Sequence, residues 1–167
     1  IVAVLKDHSY LNAFFDESRQ QIIVKQYYNI GIAVDTPAGL MVPNVKDAEK
    51  KSILSVAHDI ELLAQKARDR TIAIEELQGG TFTITNYGSI AGLFGVPIIN
   101  YGESAILGVG RIVEKPVVKG GQIVIRKMMP VSLSFDHRVV DGAQAAEFLA
   151  DLRKHLEDPE FLLIELD

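Results

Sequence analysis

One histidine of this sequence stands where an imidazole can do acid–base work. His137 lies in the run Val131-Ser132-Leu133-Ser134-Phe135-Asp136-His137-Arg138-Val139-Val140-Asp141-Gly142. Val131, Leu133 and Phe135 alternate with Ser132, Ser134 and Asp136, which is the period of a half-buried strand. Asp141 then stands at a helix N-cap position with Gln144 three residues on, the pattern of a capping box. His137 is therefore expected in the short connection between a strand end and a helix start, where catalytic side chains are often presented. A neutral imidazole there can take a proton and give it back. On residue types alone, a histidine and an aspartate four apart read more readily as a loop histidine beside a helix cap.

Other chemistry-bearing groups are fewer. His58 falls on the polar face of a helical pattern, His155 near a helix end and His8 in the opening segment, and none of them is given a catalytic role. Threonines 81, 83 and 85 alternate along one β-rich run, where Thr81 and Thr83 are expected to serve β propensity alone. Gly88-Ser89-Ile90-Ala91-Gly92 lacks both the lysine of a P-loop and the spacing of a dinucleotide fingerprint, so close backbone packing is the better reading. Cysteine is absent, which excludes a thiolate nucleophile, disulfides and thiolate metal sites. No metal site is expected. The net charge of −5 argues against nucleic-acid and anionic-membrane partners, while leaving room for a local basic pocket. No apolar run reaches the length of a membrane span.

The elements that must position these groups alternate irregularly. The first fifteen residues read as a helix end running into a turn at Asp16-Glu17-Ser18. Strands are expected over Gln21–Tyr27, Asn29–Thr36 and Leu40–Val45, the last two joined at Pro37-Ala38-Gly39. Ile53, Val56, Ala57, Ile60, Leu63, Ala64 and Ala67 give helical periodicity between Ser52 and Arg70, with Ser52 as N-cap. A short helix near Ile74–Leu77 ends at Gly79-Gly80, and a strand follows over Thr81–Tyr87. Ser104–Val113 and Gln122–Phe135 read as two long strands joined at Lys119-Gly120-Gly121, and Asp141–Leu156 as a closing helix. Strands and helices mixed without strict βαβ alternation predict an α/β fold, a mixed sheet packed with helices in a two-layer sandwich. The length of 167 residues suits one domain over 1–167. The abrupt apolar opening Ile1-Val2-Ala3-Val4-Leu5 is not a signal peptide and is expected to lie inside a domain. The apolar end Phe161-Leu162-Leu163-Ile164-Glu165-Leu166 is expected to cover an interface or fold back on its own subunit.

His-x-x-x-Asp-Gly preceded by Ser-x-Ser-Phe-Asp resembles the active-site motif of the dihydrolipoamide acyltransferases of 2-oxoacid dehydrogenase complexes, relatives of chloramphenicol acetyltransferase. Further segments are similar in the same order: Asn29–Leu40 with Val42-Pro43, Gly79–Asn86, Pro97–Asn100, Ala105–Gly108 and Leu156–Leu163. The resemblance covers essentially the whole chain and implies that the family domain's N-terminal portion is missing. It also implies a chloramphenicol acetyltransferase-like fold, and no lipoyl or peripheral-subunit-binding domain in this chain.

What the resemblance implies about chemistry is specific. His137 is the base that takes a thiol proton as the thiol attacks a thioester, and that returns it to the leaving thiol. Thr85 is the hydroxyl that holds the oxyanion, and Asp141 acts structurally on the loop. The acyl group moves between dihydrolipoamide, carried on a separate lipoyl domain, and coenzyme A. Acetyl or branched-chain acyl groups are favoured over succinyl. The coenzyme A-binding residues are not assigned by the resemblance, with Asn86 and Ser89 as candidates. Asp136 and Arg138 are expected to pair and order the loop. A homotrimer with sites between subunits, stacked into a hollow core that binds decarboxylase and dihydrolipoamide dehydrogenase subunits, is implied as well. The compartment would be cytoplasmic in a bacterium or archaeon and the mitochondrial matrix in a eukaryote. The alternatives are a free-standing coenzyme A-dependent acetyltransferase, which carries a second histidine where this chain has Asp136, and a non-catalytic scaffold, which would be expected to lose the base.

Overall fold

Residues 1–158 are described by the computed structural model, so the apolar end Phe161–Leu166 lies outside the described residues. In chain order the elements are α1 (Val2–Asp7), β1 (Ala13–Asp16), β2 (Gln21–Val24), β3 (Ile30–Thr36), β4 (Gly39–Met41), β5 (Asn44–Val45), α2 (Ile53–Arg68), α3 (Ile74–Leu77), β6 (Phe82–Asn86), β7 (Ala105–Val109), β8 (Val113–Lys119), β9 (Gln122–Met128), β10 (Val131–Phe135) and α4 (Gly142–Glu157). A six-stranded sheet runs in the order β10-β7-β6-β3-β4, with β5 also paired to β3. β3, β6 and β7 are parallel, and β4, β5 and β10 are antiparallel to their neighbours. This is the mixed α/β arrangement that the irregular alternation of elements predicts.

Residue types decide which sheet face is covered. Ile30 and Ile32, Phe82 and Ile84, Leu107 and Val109, and Val131, Leu133 and Phe135 all share one core with Val4, Leu5, Leu63, Phe148 and Leu152 of the helices. Strand side chains alternate, so Thr83, Thr85, Gly108, Ser132 and Ser134 lie on the opposite face. The helices hold their expected places. Ser52 Oγ accepts from Ser55 N at 3.2 Å to cap α2. Asp141 Oδ1 accepts from Gln144 N at 2.8 Å, and Gln144 Oε1 accepts from Asp141 N at 3.0 Å, closing the capping box of α4. Among the described residues, no helix is long and apolar enough to cross a membrane.

Three strand expectations need correction. The run Leu40–Val45 is broken into β4 and β5 around Pro43, which has no N–H to extend the ladder, although its carbonyl accepts from Ile32 N at 2.8 Å. The two long strands are four. Pro130 interrupts the second of them, and its carbonyl accepts from Gly110 N at 2.8 Å. β7 then pairs with β10 inside the sheet, while β8 and β9 form a separate two-stranded ribbon turning at Gly120-Gly121. Near the start, the expected turn at Asp16-Glu17-Ser18 is present but joins two paired strands, Ala13–Asp16 and Gln21–Val24, where the residues before the turn were expected to be a helix end and β2 was expected to reach Tyr27.

Candidate active site

β10 ends at Phe135 and α4 begins at Gly142, and every residue between them except one is tied down. Asp136 N donates to Ser104 O at 2.8 Å, holding the loop to the entry of β7. Asp136 O then accepts from Val139 N at 2.9 Å and from Val140 N at 3.0 Å. Val139 and Val140 are buried, and Asp141 is consumed by the helix cap. Arg138 Nη2 donates to Asp136 Oδ2 at 2.7 Å, Arg138 Nη1 donates to Glu17 Oε1 at 2.7 Å, and the guanidinium carbon lies 4.6 Å from the centre of the Phe15 ring. The expected Asp136–Arg138 pair is present and braces the loop against the β1–β2 turn. Arg138 beside it holds the Asp136 carboxyl below the usual carboxylate range, against partial desolvation. What remains is His137, exposed, its ring 5.7 Å from that of Phe135. A base that meets a mobile substrate benefits from such a fixed backbone, because little order is left to impose when the substrate arrives.

Thr85 sits two residues before the end of the β-rich run, on the sheet face away from the helices. Its register partners are Ala33 on β3 and Gly108 on β7, two small residues that leave it in a shallow trough. Neither the Thr85 hydroxyl nor the His137 ring has a hydrogen-bond partner among the described residues. The two are not brought together within one chain. Thr85 is level with Gly108, and Gly108 with Ser132, whereas His137 follows the far end of β10. Two strand spacings across, and the length of β10 beyond Ser132, separate their Cα atoms by roughly 15 Å. Asn86 and Ser89 engage each other, Ser89 N donating to Asn86 Oδ1 at 3.2 Å and Ser89 Oγ to Asn86 O at 2.9 Å. They therefore secure the turn after β6.

Thr81 and Thr83 do more than favour a strand. The Thr81 hydroxyl accepts from Asn29 N at 3.1 Å and donates to Asn29 O at 3.2 Å. Thr83 Oγ1 donates to the buried Glu103 Oε1 at 3.0 Å, which Asn100 Nδ2 also reaches at 3.0 Å. Lys25 Nζ donates to Gly80 O at 2.9 Å and to Gly102 O at 2.7 Å close by. This polar cluster underlies the entries of β6 and β7, and through Ser104 it supports the His137 loop. Sequence reading missed it, since Lys25, Thr83 and Glu103 share no spacing. Glu103 Oε2 is buried without a partner among the described residues, and burial pushes the Glu103 carboxyl up despite its two donors and nearby Lys25.

That shift has a sign that can be checked. Raised above its ordinary 4.5, Glu103 binds its proton more tightly in the folded chain than in the unfolded one. The stability it contributes is full below pH 4.5 and falls as pH rises through the folded value. Thermal unfolding of Glu103→Gln across a pH series is expected to gain on the parent as pH rises above that point. A difference between the two that is flat with pH would show that Glu103 does not titrate differently on folding.

One of two cavities lies against these groups. Of about 740 Å³, it lies beside the His137 loop, with Phe15, Asp16, Asn100, Tyr101, Asp136 and Arg138 in its lining. A more apolar one of about 320 Å³ lies between α1, α2 and the sheet, where Ile32, Val56 and Ile84 meet Lys6, Glu49 and Lys51. It holds no histidine and is remote from the loop. Among the described residues no cluster of histidine, aspartate or glutamate could hold a metal ion.

Residues 1–164 match the family model of the 2-oxoacid dehydrogenases acyltransferase (catalytic domain). The dihydrolipoyllysine-residue acetyltransferase component of the pyruvate dehydrogenase complex from Staphylococcus epidermidis is 47% identical over 165 residues. That match takes in 99% of this chain and 38% of the relative, so the chain spans well under half of that protein's length. Among solved structures, the dihydrolipoamide acetyltransferase of Azotobacter vinelandii superposes with a TM-score of 0.94 at 42% identity, over 97% of this chain and 67% of that one. In that protein a serine, a histidine 52 positions later and an asparagine four beyond the histidine are the residues whose catalytic roles were probed. The cubic core of a pyruvate dehydrogenase multienzyme complex superposes equally well, with a TM-score of 0.94 at 41% identity over 97% of this chain and 67% of that one.

Proposed function

We propose that this chain, which belongs to the 2-oxoacid dehydrogenase acyltransferase (catalytic domain) family, transfers an acetyl group between coenzyme A and dihydrolipoamide as part of a multi-subunit core. The observation that carries the reading is the placing of three residues. Thr85, His137 and Asp141 reproduce the spacing of the serine, histidine and asparagine of the A. vinelandii enzyme. Among the described residues, His137 is also the loop residue that is neither hydrogen-bonded nor buried.

The chemistry follows from the groups. A free thiol has a pKa near 8.5, so only a small fraction is thiolate at neutral pH. The His137 imidazole takes the proton from the incoming thiol as its sulfur attacks the thioester carbonyl. The negative charge moves to the carbonyl oxygen, where the Thr85 hydroxyl donates a hydrogen bond. Collapse of the intermediate expels the other sulfur, which receives the proton from His137. Asp141 takes no proton in this scheme. Asp141→Asn keeps an oxygen at the cap, so it is expected to change kcat by less than about threefold, since asparagine caps helices as well as aspartate does. Steady-state kinetics that instead show a loss near that of the base itself would make Asp141 a participant.

Because His137 and Thr85 stand far apart in one chain, a site that uses both takes them from two copies. An assembly is also supported by the segment between β6 and β7. There Phe94, Val96, Ile98 and Tyr101 are exposed, Val96 and Ile98 by 90% and 91%, a stretch of apolar surface of the kind that marks interfaces. The similarity to a cubic core supports such an assembly. The deciding experiment is acyl transfer from acetyl-CoA to dihydrolipoamide by the full-length parent protein. Turnover with this pair supports the reading. A well-assembled protein inactive with acetyl-, isobutyryl- and succinyl-CoA would overturn it in favour of a scaffold.

A further inference from the structure

Tyr87 follows directly on the strand that carries Thr85, and its ring lies back across the sheet. Its hydroxyl is 3.0 Å from Ser132 Oγ, which donates to Gly95 O at 2.7 Å. The ring is clasped by glycines. A Cβ on Gly108 would lie 2.7 Å from Tyr87 Cε1, one on Gly95 3.0 Å from the same atom, and one on Gly92 2.9 Å from Cδ2. Gly108 forms the sheet below the ring, and Gly92 and Gly95 form the loop on its other sides. Gly108 is also the register partner of Thr85. The trough that holds the Thr85 hydroxyl is thus floored by Ala33 and Gly108, both small, and the space above Gly108 is already taken by the Tyr87 ring.

From this arrangement we propose that Tyr87 is the wall that limits the size of the acyl group presented to Thr85, and hence a determinant of acyl-donor choice. The inference rests on the reading of Thr85 as the oxyanion donor. An acyl carbon bound to a carbonyl held at Thr85 projects along the trough toward Ala33 or toward Gly108. On the Gly108 side it meets a ring pinned at both ends, by its backbone at the close of β6 and by its hydroxyl on Ser132. A methyl fits beside such a ring more readily than a branched chain does. The ring does this by volume, and the hydroxyl only fixes its position.

The test compares the assembled full-length parent with Tyr87→Phe, Tyr87→Leu and Tyr87→Ala, using acetyl-CoA and isobutyryl-CoA as donors to dihydrolipoamide. The readout is the ratio of kcat/KM for isobutyryl to that for acetyl, whatever the absolute rates. A single methylene in an apolar pocket discriminates by roughly 10- to 200-fold, so the ratio is expected to rise about tenfold or more in Tyr87→Ala. Tyr87→Leu should rise by less, and Tyr87→Phe should keep the parent ratio within about twofold, since it retains the ring. Should the alanine variant fail to assemble, the leucine variant reads the same space. A ratio unchanged across the series overturns the proposal. So does a shift in Tyr87→Phe as large as in Tyr87→Ala, which would assign the effect to the hydroxyl. A parent that transfers neither donor removes the underlying reading instead, and the wall with it.

Discussion

His137→Ala in the assembled full-length protein is expected to lower kcat for acyl transfer by about 10²- to 10⁴-fold, the usual contribution of a positioned acid–base group. KM for both thiols should move little, because on the proposed reading the imidazole moves the proton and holds neither carrier. The loop itself should survive. Asp136, Arg138, Val139, Val140 and Asp141 make the contacts that shape it, and His137 makes no hydrogen bond among the described residues. Unchanged assembly and an unchanged unfolding midpoint therefore accompany the loss. A variant with parental kcat would remove His137 from the reaction. One that fails to assemble would show that the loop depends on the ring.

The second large effect concerns two variants that are each defective and become active when mixed. Thr85→Ala removes a donor expected to be worth about 3 kcal/mol in the transition state, close to a hundredfold or more in kcat. If each site takes His137 from one copy and Thr85 from its neighbour, chains of His137→Ala and Thr85→Ala co-assembled in equal amounts restore intact sites. With random mixing in a cyclic oligomer, about a quarter of the interfaces pair a sound histidine with a sound threonine. Recovery of about that fraction of parental activity is the expected result, against the low residual rate of either variant alone. Mixtures no better than the mean of the two variants would place both groups in one chain, at odds with their separation across β6, β7 and β10.

Much of this site is legible before folding, because its parts are local. Val131 to Phe135 declares a strand by alternation, Asp141 and Gln144 declare a helix start, and His137 can only fall between them. The same holds for α2, whose period and Ser52 cap lie in one continuous stretch. What is not legible is what depends on partners distant in sequence. The two long strands expected over Ser104–Val113 and Gln122–Phe135 are rich in β formers, and Pro130 marks a break in the second. Only the pairing of β10 with β7 reveals that the middle leaves the sheet as a ribbon. The polar cluster of Lys25, Thr83, Asn100 and Glu103 is likewise silent, since its members come from three segments far apart in sequence and carry no motif. Thr83 and Thr85 look alike in sequence. Their difference is tertiary, one hydroxyl spent on a buried carboxylate and the other left open in its trough.

The clasp around Tyr87 bears on how such a domain can change over time. Three glycine positions, 92, 95 and 108, have no room for a side chain while an aromatic ring occupies their common space. A mutation at any one of them is therefore penalised until position 87 has shrunk, and a small residue at 87 leaves a void until one of the three has grown. Single steps in either direction pass through a poorly packed intermediate, with the ring displaced or the space unfilled. These four positions are expected to drift as a correlated set, with long periods of stasis broken by paired replacements. Lineages that differ at position 87 should differ at the glycines too, and reconstruction of their ancestors would show the substitutions falling on the same branches.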